Sequence, residues 1–305
     1  MKEPPSSEKI GEAATELAVH PSFVEKDWYA IQALTLVARH DNENTLLTFS
    51  GGTSLSKGFG LIKRFSEDLD FIIDPNNFER TDRRAYRQSI IETIQSDDAF
   101  EIQQATVKSR NDSKFFSFNI NYTQTQENHS SIRPYLKLEM SFRELSLPAE
   151  NRPVSSFISE LGKSEPEVEI LCVEPTETAA DKLSALVWRV LIKNREQESG
   201  SKWNEPEMIR HLHDLCALEQ RIKTSDRFSQ IAQAKFLGDA QRGGFRKKLT
   251  LKEAAIEALK RIEEDQVYPT EYENFVDAMS YAADDERIEF NTALSSLRNI
   301  INLLD

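Results

Sequence analysis

The chain has 305 residues, of which 39% are hydrophobic and 29% charged, with a formal net charge of −13. This composition excludes a disordered polypeptide and one that coats nucleic acid through bulk positive charge. No apolar run approaches the roughly 20 residues that a membrane helix needs, and the N-terminal MKEPPSSEKIGEAATE lacks the apolar core of a signal peptide.

In chain order, apolar residues at helical spacing (Phe23, Trp28, Ile31, Leu34, Leu36, Val37) predict a helix over 22–39. A strand is expected over 45–50. A glycine turn and short helix follow, then a basic loop and a second strand carrying Asp68 and Asp70. The Asp74-Pro75-Asn76-Asn77 turn leads into a polar helix over about 78–95. Phe116, Phe118, Ile120 and Tyr122 alternate with polar residues, as do Leu136, Leu138, Met140 and Phe142, so each run reads as a half-buried strand. A third strand is expected over 167–173. From Pro175 onward only helical patterns occur, over 176–193, 205–221, 226–238, 251–264 and 271–304, the last broken near Asp284. The expected layout is α+β: a mixed-sheet part with N-terminal helices over 1–174, then a helical part over 175–305. Cys172 and Cys216 are too few for a disulfide framework or a four-thiolate zinc site, and read as free thiols in a reducing cytoplasm.

The run Phe49–Asp74, FSGGTSLSKGFGLIKRFSEDLDFIID, carries the most chemistry. A glycine turn that opens a helix leaves backbone N–H groups free to hold a phosphate. In a strand, Asp68 and Asp70 point to one face while Leu69, Phe71 and Ile73 point to the other. Two adjacent carboxylates repel unless a cation lies between them, and Mg²⁺ suits oxygen ligands shared with substrate phosphates. Glu139 lies on the polar face of Tyr135–Phe142 and would complete an acidic triad, although a solvent-facing strand is the plainer account. Lys182, Ala185 and Arg189 share one side of a helix that starts at Thr176. Two cations there suit a triphosphate, as they suit an ordinary solvated face. In Arg210-His211-Leu212-His213-Asp214-Leu215 the histidines are two apart on a helix, which argues for a polar face rather than a metal pair. Two local basic clusters stand out: Lys57, Lys63 and Arg64, and Arg242, Arg246, Lys247 and Lys248, the second reading rather as an ordinary solvated loop.

Phe49, Gly51, Gly52, Thr53, Leu55 and Lys57, followed by Arg64, Phe65, Ser66, Glu67, Asp68 and Asp70, resemble the signature of the AbiEii/AbiGii-type nucleotidyltransferase toxins of type IV toxin–antitoxin systems. Three further blocks are similar to that family: the strand around Glu139, the helix with Lys182 and Arg189, and Arg210 with Asp214. His211 stands where the family prefers Asp. Lys26 lies in another short similar block and reads as structural. The resemblance implies a nucleotidyltransferase fold and transfer of NMP from an NTP to an acceptor, with release of pyrophosphate. It implies Mg²⁺ on Asp68, Asp70 and Glu139. Gly51, Gly52, Thr53, Lys57, Arg64, Ser66, Lys182 and Arg189 would bind the nucleotide, and Asp214 would support Lys182. The 3′ end of tRNA is the acceptor class it implies, with a cognate antitoxin as partner. NMP transfer to a protein or small-molecule hydroxyl, and a non-catalytic nucleotide- or partner-binding protein, are the rival readings.

Overall fold

A computed structural model describes residues 2–40, 46–201, 203–240 and 248–305. Arg242, Arg246 and Lys247 of the second basic cluster lie outside them. The chain divides into two compact units, Met1–Val173 and Glu174–Asp305.

In the first unit, α1 (Ser7–Glu16) and α2 (Pro21–His40) precede β1 (Leu47–Ser50). The glycine turn follows as one short helical segment, α3 (Gly51–Thr53), continued by a wide turn over Ser54–Gly58. Then come β2 (Asp68–Ile73), α4 (Arg80–Gln95), β3 (Phe100–Ile102), β4 (Lys108–Arg110), β5 (Phe115–Tyr122), β6 (Leu136–Phe142), β7 (Glu150–Val154), α5 (Phe157–Leu161) and β8 (Val168–Cys172). Among the described residues these strands form one mixed sheet in the order β3-β5-β6-β2-β1-β8-β7, with β4 beside β5. β2 runs antiparallel to β1 and parallel to β6, so the acidic strand is flanked on both sides.

Alternation then decides the faces. Leu69 and Phe71 of β2, Phe49 of β1 and Leu138 and Met140 of β6 enter one core with Trp28, Ile31 and Leu34 of α2 and Ile90 and Ile94 of α4. The opposite face of the same strands presents Asp68, Asp70 and Glu139, all half-buried. Three elements were not legible as periodic runs. β3 and β4 are only three residues long, and β7 is an edge strand that carries Pro153.

α2 carries three consecutive buried charges, and each ties a different segment to this helix. Glu25 accepts from the Thr125 N–H at 2.7 Å. Lys26 donates to the Arg133 carbonyl at 2.5 Å and pairs with Glu67. Asp27 accepts from the Phe157 N–H at 2.7 Å. Buried charges survive only with such partners.

The second unit contains α6 (Pro175–Ile192), α7 (Arg210–Thr224), α8 (Phe228–Ala240), α9 (Leu251–Glu264), α10 (Val267–Met279) and α11 (Phe290–Asn302). No strand occurs among its described residues. Glu174 caps α6, accepting from the Thr176 N–H at 2.6 Å, so the cap falls two residues ahead of Thr176. Among the described residues no helix is long and apolar enough to cross a membrane, and both cysteines are free thiols.

Candidate active site

In the first unit the site starts at Gly51. Its φ of +76° lies in the left-handed region that glycine adopts without strain. A Cβ there would stand 2.1 Å from Asp70 Oδ2, so the Asp70 carboxylate rests against the bare Cα. Gly52 is enclosed in the same way: a Cβ on it would meet Ser66 Oγ at 2.6 Å and Arg64 Nη2 at 3.0 Å. Gly51, Gly52, Arg64, Ser66 and Asp70 are therefore gathered at one turn.

Two predicted nucleotide ligands have other engagements. The Thr53 hydroxyl donates to the Asp68 carbonyl at 2.5 Å, which commits its single proton to β2. The buried Lys57 ammonium lies 3.0 Å from Asp27 Oδ1, 3.5 Å from Glu160 Oε1 and 3.4 Å from the centre of the Phe157 ring. Arg64, also buried, donates to the Phe65 carbonyl at 2.9 Å.

Strand register brings the acids together. Ser50 of β1 lies opposite Asp70, Asp70 lies beside Glu139, and Asp68 lies beside Lys137. These positions share the polar face by alternation. The side chains do not converge as a ready-made cluster: among the described residues no three acidic, imidazole or thiolate groups are drawn together as for a metal. Coulomb forces supply the reason. Asp68 Oδ1 accepts from Arg133 Nη2 at 2.7 Å, and Glu139 pairs with Lys137. Each acid is thereby drawn toward a cation of the protein rather than toward its neighbour. Burial opposes the charge of Lys137, but the hydrogen bond and charge of Glu139, helped by Asp68, outweigh it and raise its pKa. Likewise burial disfavours the Arg133 charge, and Asp68 and Glu67 more than compensate.

The donor set fits a divalent cation. Asp68, Asp70 and Glu139 offer hard carboxylate oxygens, and Arg133 and Lys137 already stand as positive partners to two of them. Arg133 escaped the sequence reading because a lone arginine before Pro134 looks like any loop residue.

In the second unit α6 and α7 bring Lys182 and Asp214 into contact. Lys182 Nζ donates to Asp214 Oδ2 at 2.5 Å, and the Asp214 side chain is 0% exposed. Arg189, two turns farther along α6, pairs with Glu205 and lies 5.0 Å from the Trp188 ring. Lys182 and Arg189 therefore take separate acidic partners. Glu177 and Asp181 both face Lys235 of α8, at 2.6 and 3.5 Å. The polar-face account of the histidines needs correction at His213. Its ring is buried, 3.4 Å from Asp214 Oδ1 and 5.9 Å from the Phe275 ring centre. It fills the interior behind the ion pair. His211 is half-buried, and Arg210 meets Glu207 at 3.6 Å.

A family model described as nucleotidyl transferase AbiEii toxin, type IV toxin–antitoxin system, matches residues 34–296. The chain belongs to the AbiEii family of nucleotidyltransferase toxins. No curated protein matches it. Among solved structures, MenT4, a nucleotidyltransferase toxin from Mycobacterium tuberculosis H37Rv, is similar over 97% of this chain and 90% of its own, with 18% identity and a TM-score of 0.51. At that identity the likeness speaks for the fold. It agrees with the α+β nucleotidyltransferase architecture expected from the motifs, here in an AbiEii-family chain.

Proposed function

We propose that this AbiEii-family enzyme transfers NMP from an NTP to the 3′ end of tRNA in a Mg²⁺-dependent reaction that blocks translation and growth. The observation that supports it most is the register that sets Asp70 between the Gly51 turn and Glu139 on three adjacent strands. Phosphates held at the turn would then lie beside the carboxylates.

Asp68, Asp70 and Glu139 are the residues that would hold Mg²⁺. The cation, when bound, supplies Lewis-acid polarisation of the phosphate and a lower pKa for the attacking hydroxyl. The backbone of Gly51 and Gly52 cradles the phosphates, and the missing side chains leave room for Asp70, Ser66 and Arg64 to close on the turn. Arg64 and Ser66 wall that turn. Thr53 pins the turn to β2, and Lys57 anchors it to α2 through Asp27; both act as positioning residues. The acceptor oxygen attacks the α-phosphorus, the bond to the bridging oxygen breaks, and pyrophosphate leaves. Glu139 takes the hydroxyl proton. In the helical unit, Lys182, oriented by Asp214, and Arg189 are the cations that the family motif assigns to the triphosphate. A cognate antitoxin is the expected partner.

Incubation with Mg²⁺, each α-labelled NTP in turn and total bacterial tRNA tests the reading, with Asp70→Ala alongside. Label on tRNA only with the unmodified enzyme is the expected result. Label on protein or a small molecule would keep the chemistry and replace the acceptor. If folded Asp70→Ala retains full activity, the carboxylate assignment is wrong.

A further inference from the structure

Arg133 sits at the carboxylate site with an unusual division of labour. Its backbone is fixed on both sides: its N–H donates to Glu67 Oε2 at 3.0 Å, and its carbonyl accepts from the fully buried Lys26 ammonium at 2.5 Å. Its side chain, by contrast, is 30% exposed and forks between two acids. Nε donates to Glu67 Oε1 at 2.8 Å and Nη2 to Asp68 Oδ1 at 2.7 Å. The Tyr135 ring lies 5.8 Å from the guanidinium carbon. Glu67 would keep Lys26 if the guanidinium left, whereas Asp68 would lose a charge-assisted hydrogen bond.

We propose that Arg133 is an internal counter-ion of Asp68 that passes to the nucleotide phosphates when a divalent cation takes its place on that carboxylate. The inference rests on the reading of Asp68 and Asp70 as cation ligands. A guanidinium and a metal ion compete for the same carboxylate oxygen, so arrival of one releases the other. The freed guanidinium stays within reach because its backbone is tethered to Lys26 and Glu67. Its planar fork also matches a phosphate, which it can grip through two parallel N–H groups. The exchange adds the two charges of the cation while Arg133 stays close, so the triphosphate meets the cation and Arg133 together. Arg133 is thus a substrate-binding residue as well as the counter-ion of Asp68.

The test is equilibrium binding, without turnover, on the full chain. Mn²⁺ affinity is measured by electron paramagnetic resonance in the absence of nucleotide, and affinity for a non-hydrolysable NTP analogue is measured in the presence of saturating Mn²⁺. Arg133→Met keeps an unbranched apolar stem and removes the charge. It is expected to bind Mn²⁺ about ten-fold more tightly and the analogue about ten-fold more weakly, the scale of one charge-assisted contact. Arg133→Lys keeps a point charge without the fork and should fall between the two on both measurements. A merely structural role would weaken both affinities together or move neither, and either result overturns the proposal. Asp70→Ala separates the two levels: if it binds Mn²⁺ as well as the unmodified protein, the carboxylate reading fails first, whatever Arg133 does.

Discussion

At the scale of single residues, Gly51 and Gly60 make a matched pair. Both have positive φ, +76° and +62°, so an alanine at either is strained by about 1–2 kcal/mol. Only at Gly51 does the new methyl meet an atom, 2.1 Å from the Asp70 carboxylate, while nothing lies within 4 Å of a Cβ at Gly60. Gly51→Ala is therefore expected to lower transfer activity by about 100-fold or more, the cost of displacing a reacting group by an ångström. Gly60→Ala should lose stability and little activity. Rates and denaturant unfolding of the two variants check this, and equal rates would refute the close approach. Lys26 adds a pH dependence. Burial outweighs the pull of Glu67 and lowers its pKa from 10.5 to about 8. Between those values the unfolded chain holds the proton and the folded chain does not, so stability rises with pH by up to roughly 1.4 kcal/mol per unit. Lys26→Met, in which Glu67 keeps Arg133, removes that term. The stability of the unmodified protein relative to Lys26→Met should grow from pH 8 to pH 10; a constant difference would refute the shift.

At the scale of elements, α6 is the hub of the helical unit. Lys182 joins it to α7, and Glu177 and Ser184 join it to α8 through Lys235 and Asp239 at 2.6 and 2.8 Å. Its apolar stripe, Leu183, Leu186 and Val190, is fully buried. Removing one member of a buried pair leaves the other charge uncompensated. Lys182→Met is therefore expected to cost about 3 kcal/mol or more, whatever Lys182 does for the nucleotide. The double variant Lys182→Met with Asp214→Leu should recover most of that loss in urea unfolding but no transfer activity. Recovery of activity as well would make the pair purely structural. Strand and helix assignments held wherever a run was long and periodic, as in β6, predicted over the residues it occupies. They failed for β3 and β4, where three residues carry no period.

At the scale of the whole molecule, the net charge of −13 repels a polyanion such as tRNA. An RNA acceptor must be held by local cations that displace condensed counterions. The apparent affinity for tRNA is thus expected to fall linearly in log–log against salt, losing tenfold or more between 50 and 200 mM. KM for tRNA measured across that range checks this, and a flat profile would point to a protein or small-molecule acceptor. The sequence by itself determined the family, the α+β class and the polar face of β2, because glycine, paired aspartates and alternation are local signals. Lys182 and Asp214 were legible as a candidate pair only through the family motif. What the tertiary structure alone decided is which partner each charge takes. It set Asp70 against Gly51, spent the Thr53 proton on the Asp68 carbonyl, buried Lys57 against Asp27 and His213 behind Asp214, and placed Arg133 on Asp68. Such choices depend on which segments meet across tens of residues, and the energies of buried charges follow from that meeting rather than from spacing along the chain.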